Sequence, residues 1–197
     1  VVLDSQRALL DPGSAVTQAR WVDALLARRR EPWIVVSHHH PVFSVSVGRD
    51  NAPLREHWQP VYERHGVHLV LQGHDHAYGR GRDNLAGGAR VVDRRGGPVY
   101  VVSVAGPKMY IVSDEAREAY DRTAEDVQLY QVIHVERDRL RYESRTVANR
   151  LYDAFDLERT RSGTRLVERK PATPDARCGN PRLPRPDRCW EGTELVD

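Results

Sequence analysis

Histidine is the residue type that departs furthest from an even scatter. Of the nine in the 197-residue chain, eight (His38, His39, His40, His57, His65, His68, His74 and His76) fall between positions 38 and 76. Neutral imidazole is the commonest protein ligand for divalent metals, so this crowd is where metal chemistry is to be sought. His74 and His76 are spaced i, i+2, which in extended chain sends both rings to one face and Asp75 to the other. In the triplet His38-His39-His40 successive side chains diverge, so at least one ring is expected to ligate while the others point elsewhere. His57, His65 and His68 read as ordinary residues on a helix face and at its exit.

Two such clusters can share an ion only if the chain brings them to neighbouring positions. Val1 to Ser5 reads as a short strand ending in Asp4-Ser5, and Asp11-Pro12-Gly13 as a turn. Val16, Ala19, Val22, Leu25 and Leu26 follow helical spacing, which predicts a helix over 15–30 with Ser14 as N-cap and Pro32 as its stop. Trp33-Ile34-Val35-Val36 is an apolar run of strand length ending in the histidine triplet. A second helix, from near Pro53 to Gly66, carries Leu54, Trp58, Val61 and Tyr62 on one face. Val67 to Leu71 is the next buried strand, and it runs into Gln72-Gly73-His74-Asp75-His76. Strand, helix, strand, helix, strand makes a parallel sheet with right-handed crossovers. Ligands bind at the carboxyl ends of such strands, which lie about 4.8 Å apart, and both histidine clusters stand there.

The second half is β-rich. After a glycine-rich loop (79–97), Val99 to Val104 reads as a strand, and 128–135 with 139–147 as a hairpin turning at Arg137-Asp138. From Pro171 a proline-rich tail follows, with Cys178 and Cys189 as its bracket. That pair can close one disulfide, which would imply an exported (secreted or periplasmic) protein; two free thiols are the alternative.

Charge excludes some partners. The 30 Lys and Arg residues are balanced by 28 Asp and Glu, and the arginines are spread along the chain, so no face is marked for nucleic acid. Arg28-Arg29-Arg30 reads as a solvated helix C-terminus. No apolar run reaches the roughly 18 residues of a membrane span, and no secretory leader is visible. The chain opens on Val1 and its one methionine is Met109, which suggests a piece of a longer protein.

Val36-Ser37-His38-His39 followed by His40-Pro41, then Gly73-His74-Asp75-His76, resembles the V-x-x-H and G-H-x-H motifs of the calcineurin-like metallophosphoesterases. The stretches 32–41, 70–78 and 97–106 are similar to the purple acid phosphatase branch. The resemblance implies the C-terminal part of an αββα sandwich, an α/β fold with a mixed sheet. Residues 1–112 would be half of the catalytic domain, 113–170 a β-rich continuation and 171–197 the tail. It implies hydrolysis of a phosphate ester at two metal ions (Fe, Zn or Mn), with His39 and His74 on one, His76 on the other, and His40 beside the site without binding.

The Asp-containing motif of the family, its G-D-x-x-(Tyr) and its G-N-H-(Glu/Asp) are not in this chain and are expected upstream of Val1. The chain alone is thus expected to bind at most one ion, weakly, and to be inactive without its missing N-terminal part. Arg49 and Arg55 stand where the branch carries phosphate-holding histidines, and either can grip a phosphate bidentately. Tyr78 is expected to line the cleft or to pack, and Asp4 to play a structural part. Two other readings remain: a mononuclear Zn²⁺ hydrolase or lyase using His39, His74 and His76, or a non-catalytic binding module. A half-sandwich is also expected to expose an apolar sheet face.

Overall fold

Asp4 begins a helix where a strand was expected to end. Its carboxylate accepts the Arg7 N–H at 2.9 Å and caps α1 (Ser5–Leu10), so the expected first strand shrinks to a parallel bridge between Val2 and Ser37. The computed structural model describes residues 1–81, 84–86, 89–91, 97–161, 163–179 and 188–190. The next helix, α2 (Pro12–Leu26), starts earlier than expected, because Asp11 rather than Ser14 caps it, accepting the Gly13 N–H at 3.0 Å. It also ends earlier: Arg28 and Arg29 donate i→i−3 bonds to Leu25 and Leu26, the tightened geometry of a helix end.

β1 (Val35–Ser37) is followed by α3 (Ala52–His57) and α4 (Gln59–His65) in place of one helix. The break falls at Trp58 because Pro60 has no N–H to continue the first ladder. Gly66, at φ 60°, closes α4 in the left-handed conformation. Then come β2 (Leu69–Gln72), β3 (Tyr78–Gly81), β4 (Asn84–Ala86), β5 (Ala89–Val91), β6 (Val99–Val102), β7 (Met109–Tyr110), α5 (Asp114–Ala119) and β8 (Arg122–Ala124). The chain continues with β9 (Leu129–Val135), β10 (Arg139–Thr146), β11 (Leu151–Thr160), β12 (Gly163–Glu168) and β13 (Arg188–Trp190). The segment expected as a glycine-rich loop thus holds β3 and the β4–β5 hairpin, and its remaining residues up to 96 lie outside the described ones.

The fold is α/β, with one mixed sheet and one four-stranded antiparallel sheet in addition to the antiparallel pairs β7–β13 and β4–β5. The mixed sheet has the order β1-β2-β6-β3-β8, with β1, β2 and β6 parallel and β3 antiparallel to β6. Val36, Val70 and Tyr100 lie in register across it and pack with Leu54, Trp58 and Tyr62 of the helices. Their strand neighbours Leu69, Val99 and Val101 face the other way, against Leu140, Tyr142, Phe155 and Leu157 of the antiparallel sheet β12-β11-β10-β9. Period-two alternation therefore buries both faces of the mixed sheet between helices and a second sheet. The expected exposed sheet face is absent among the described residues. Exposed large apolar side chains sit on α1 and α2 (Leu10, Trp21, Leu25), on the edge strand β9 (Tyr130, Val135) and at Val2, Val47 and Val147.

Residues 171–179 of the tail run beside β8: Ala176 bridges to Ala124, and the Cys178 N–H donates to Glu125 at 2.9 Å. Cys178 is disulfide-bonded, and the side chain of Cys189, its expected partner, lies outside the described residues.

Candidate metal centre

β1 and β2 are parallel neighbours with Ser37 opposite Leu71, so the two histidine segments leave the sheet at the same edge. The Gly73 N–H donates to the His39 carbonyl at 2.9 Å and fastens the two exits together. His39 Nε2 then lies 3.1 Å from His74 Nδ1. The His40 ring centroid is 4.1 Å from that of His74 and 4.9 Å from that of His39. These three rings form a group that could hold a metal ion, each offering a nitrogen within 4.8 Å of the others.

The third member of the triplet turns away. His38 is buried beside Trp58 and Tyr62, its Nδ1–H donates to the His40 carbonyl at 2.7 Å, and burial pushes its pKa down to about 4. His65 and His68 play the ordinary parts expected of them: His65 Nε2 meets Asp23 at 2.8 Å, and His68 Nδ1 accepts the Ile34 N–H.

The Gly73–His76 turn is not extended. His74 has φ 71° and His76 φ 50°, left-handed values that side chains rarely adopt and that mark functional turns. The i, i+2 argument therefore does not describe it, and the two rings separate. His74 joins His39 and His40, whereas His76 stacks on Tyr110 at 5.0 Å and donates Nδ1–H to the Lys108 carbonyl at 2.9 Å. That bond leaves the lone pair on His76 Nε2, the arrangement usual for a metal-binding imidazole. Asp75 is fully buried, and its carboxylate accepts the Val45 N–H at 2.6 Å.

Arg49 is the arginine that reaches the histidines. It contacts His74 Nε2, its guanidinium carbon lies 4.7 Å over the Tyr110 ring, and its Nε is 3.9 Å from Asp75. Burial, then the neighbouring His40 and Arg49, hold the His74 pKa down at about 4. Neutral imidazole is the form that ligates metals, so this donor set fits a divalent ion that takes the place of Arg49 on His74. Burial raises Asp75 to about 6 against the pull of two backbone N–H groups and Arg49.

Arg55 stands one step further out, paired with Asp50 at 2.5 Å. Both arginines line a cavity of about 500 Å³ with Phe43, Ser46, Ser113 and Tyr120. Tyr78 takes the packing alternative: it is fully buried, and its hydroxyl donates to Asp153 at 2.7 Å. The contacts of Arg49 with Tyr110 and Asp75 have no signal in the sequence, since they join segments far apart in the chain.

Residues 2–78 match the family model of the calcineurin-like phosphoesterases. An uncharacterized protein of Mycobacterium tuberculosis, Rv2577, is 36% identical over 69 residues, 32% of this chain and 13% of that protein. Tartrate-resistant acid phosphatase type 5 of Rattus norvegicus is 33% identical over 66 residues, 34% of this chain and 20% of that one. These matches thus span a fifth or less of the length of the curated relatives. Among solved structures, the yellow lupin purple acid phosphatase PPD1 superposes with a TM-score of 0.58 at 18% identity, over 73% of this chain and 28% of that one. GAP50, described as the anchor in the inner membrane complex of Plasmodium, gives 0.63 at 11% identity, over 82% and 49%. The similarity of residues 2–78 is to the calcineurin-like metallophosphoesterase superfamily, a metal-dependent family of hydrolases. Within it, the similarity runs to the purple acid phosphatase-like branch.

Proposed function

We propose that this chain is the part of an acid-phosphatase-like phosphoesterase in which His39 and His74 hold one metal ion and His76 is offered to a second. The observation that carries this reading is the 3.1 Å approach of His39 Nε2 to His74 Nδ1 at the ends of two adjacent parallel strands. Fe, Zn or Mn suits these imidazoles. When bound, the metal supplies Lewis-acid polarisation of the phosphoryl oxygens and lowers the pKa of the attacking water.

The remaining work falls to the chain's own side chains. The Lys108 carbonyl holds the His76 proton on Nδ1. Arg49, which reaches His74, and Arg55 line the neighbouring cavity, and their guanidinium groups can grip a phosphate ester bidentately. The carboxylate and amide ligands of a two-metal site come from residues outside this chain, a reading supported by the small share of the relatives' length that it matches. The disulfide at Cys178 supports export; no helix among the described residues is long and apolar enough to cross a membrane.

Calorimetric titration of Zn²⁺ into the chain tests the site. One ion per chain is expected, with affinity falling at least about tenfold in His39→Ala and His74→Ala. A wild-type chain that takes up no ion overturns the site. Hydrolysis of a chromogenic phosphomonoester by the chain alone, abolished by His39→Ala, overturns the need for outside ligands.

A further inference from the structure

Ser5 is buried at 1% exposure, directly beneath the histidine group. Its Oγ accepts the His40 backbone N–H at 2.8 Å and lies 3.0 Å from His40 Nδ1. A hydroxyl has one proton to give, and a buried one finds an acceptor. Among the described residues, the acceptor within reach of Ser5 O–H is His40 Nδ1. The hydroxyl therefore donates to Nδ1, and the imidazole proton of neutral His40 resides on Nε2.

This is the reverse of His76, whose Nδ1–H faces a carbonyl and whose Nε2 keeps its lone pair. The two neighbours of the site thus differ in what they present. His76 presents an acceptor suited to a cation, and His40 presents an N–H suited to an anion. His40 Nε2 is also not among the sealed, partnerless atoms of the interior, whereas His38 Nε2 is one of them. Its ring lies against His74 and His39, on the group that would hold the ion.

We propose that His40 is a catalytic hydrogen-bond donor, its Nε2–H directed at a phosphoryl oxygen of the ester, and that Ser5 is the positioning residue that keeps the proton on Nε2. The proposal rests on the phosphoesterase reading above. It takes His40 out of the ligand set that proximity alone would suggest, and it gives a part in recognition to a serine more than thirty residues away in the chain.

Long-range proton–nitrogen NMR of the ¹⁵N-histidine-labelled chain reads the tautomer directly. The expected result is Nε2–H at His40 in the wild type and in Ser5→Thr, which keeps a hydroxyl, and a mixture in Ser5→Ala. Zn²⁺ calorimetry separates donor from ligand: His40→Leu is expected to keep the ion within about twofold, while His39→Ala loses it. Affinity of the Zn²⁺-loaded chain for inorganic phosphate is expected to fall about tenfold in His40→Leu and Ser5→Ala, as for one lost hydrogen bond to an anion. His40→Gln, which keeps an N–H donor, and Ser5→Thr are expected to recover most of it.

A wild-type His40 with its proton on Nδ1 overturns the proposal, as does loss of Zn²⁺ by both His40→Leu and His40→Gln, or phosphate affinity that ignores Ser5 and His40 alike. If the wild type takes up no Zn²⁺, the phosphoesterase reading fails. The nitrogen spectrum still decides the tautomer, and with it the part assigned to Ser5.

Discussion

The backbone N–H of Val45 donates to Asp75 Oδ2 at 2.6 Å, so the residue between the histidines of the Gly73–His76 turn fastens the loop that follows His40. Ser46 adds its N–H to the same oxygen at 3.2 Å and its hydroxyl to the Asp75 carbonyl at 2.5 Å. Left-handed backbone at His74 and His76 persists only where the surroundings over-determine it, and this buried anchor is one such constraint.

Gly79 tests that anchor. A Cβ there would stand 2.2 Å from Val45 Cγ1, so Gly79→Ala must push Val45 away from its place beside Asp75. Overpacking of this kind costs about 1–3 kcal/mol. The expected outcome is a lower urea midpoint together with weaker Zn²⁺ binding. Gly81→Ala meets Tyr120 at a more forgiving 3.3 Å and is expected to lower the midpoint less, with the ion retained.

A buried ion pair joins the two sheets. Arg80 on β3 donates to Asp153 on β11 through Nη2 at 2.8 Å and Nε at 3.0 Å, and to Glu168 on β12 at 2.7 Å. Both Arg80 and Asp153 side chains are fully buried. Arg80→Met leaves the Asp153 carboxylate without its counter-charge and is expected to cost about 3–5 kcal/mol in urea unfolding. The double change Arg80→Met with Asp153→Leu is expected to recover part of that loss, because no charge is then left buried.

Acid should loosen the antiparallel sheet through Asp156. Burial raises its pKa, but hydrogen bonds from Arg141 at 3.0 Å and Arg169 at 3.2 Å outweigh burial and hold it below the ordinary carboxylate value. A pKa lower in the folded state than in the unfolded one contributes stability above the unfolded value, near 4, and that contribution is lost as pH falls through the folded value. Asp156→Asn is expected to cost about 1–3 kcal/mol at pH 7, with the difference from wild type closing below about pH 3–4 in melting curves.

Much of the layer order is local and was legible. The apolar runs at 33–36, 67–71 and 99–104, and the polar/apolar alternation through 139–147, name strands because side-chain direction alternates along extended chain whatever lies opposite. Element ends were less legible. Asp11 took the cap expected of Ser14, and Pro60 split one expected helix in two, since competing caps and breakers are ranked by the packing each permits.

The sequence by itself determined that two histidine clusters stand at the ends of parallel strands, because strand length, helix spacing and turn residues are written in neighbouring positions. Only the tertiary structure decided which rings meet. His39 and His74 are 35 residues apart in the chain, and Ser5 is as far from His40. The left-handed turn at His74 and His76 sends one ring to His39 and the other to Lys108 and Tyr110. Tautomer, charge and the reach of Arg49 depend on such distant partners, and contacts between distant segments exist only once the sheets and helices have packed.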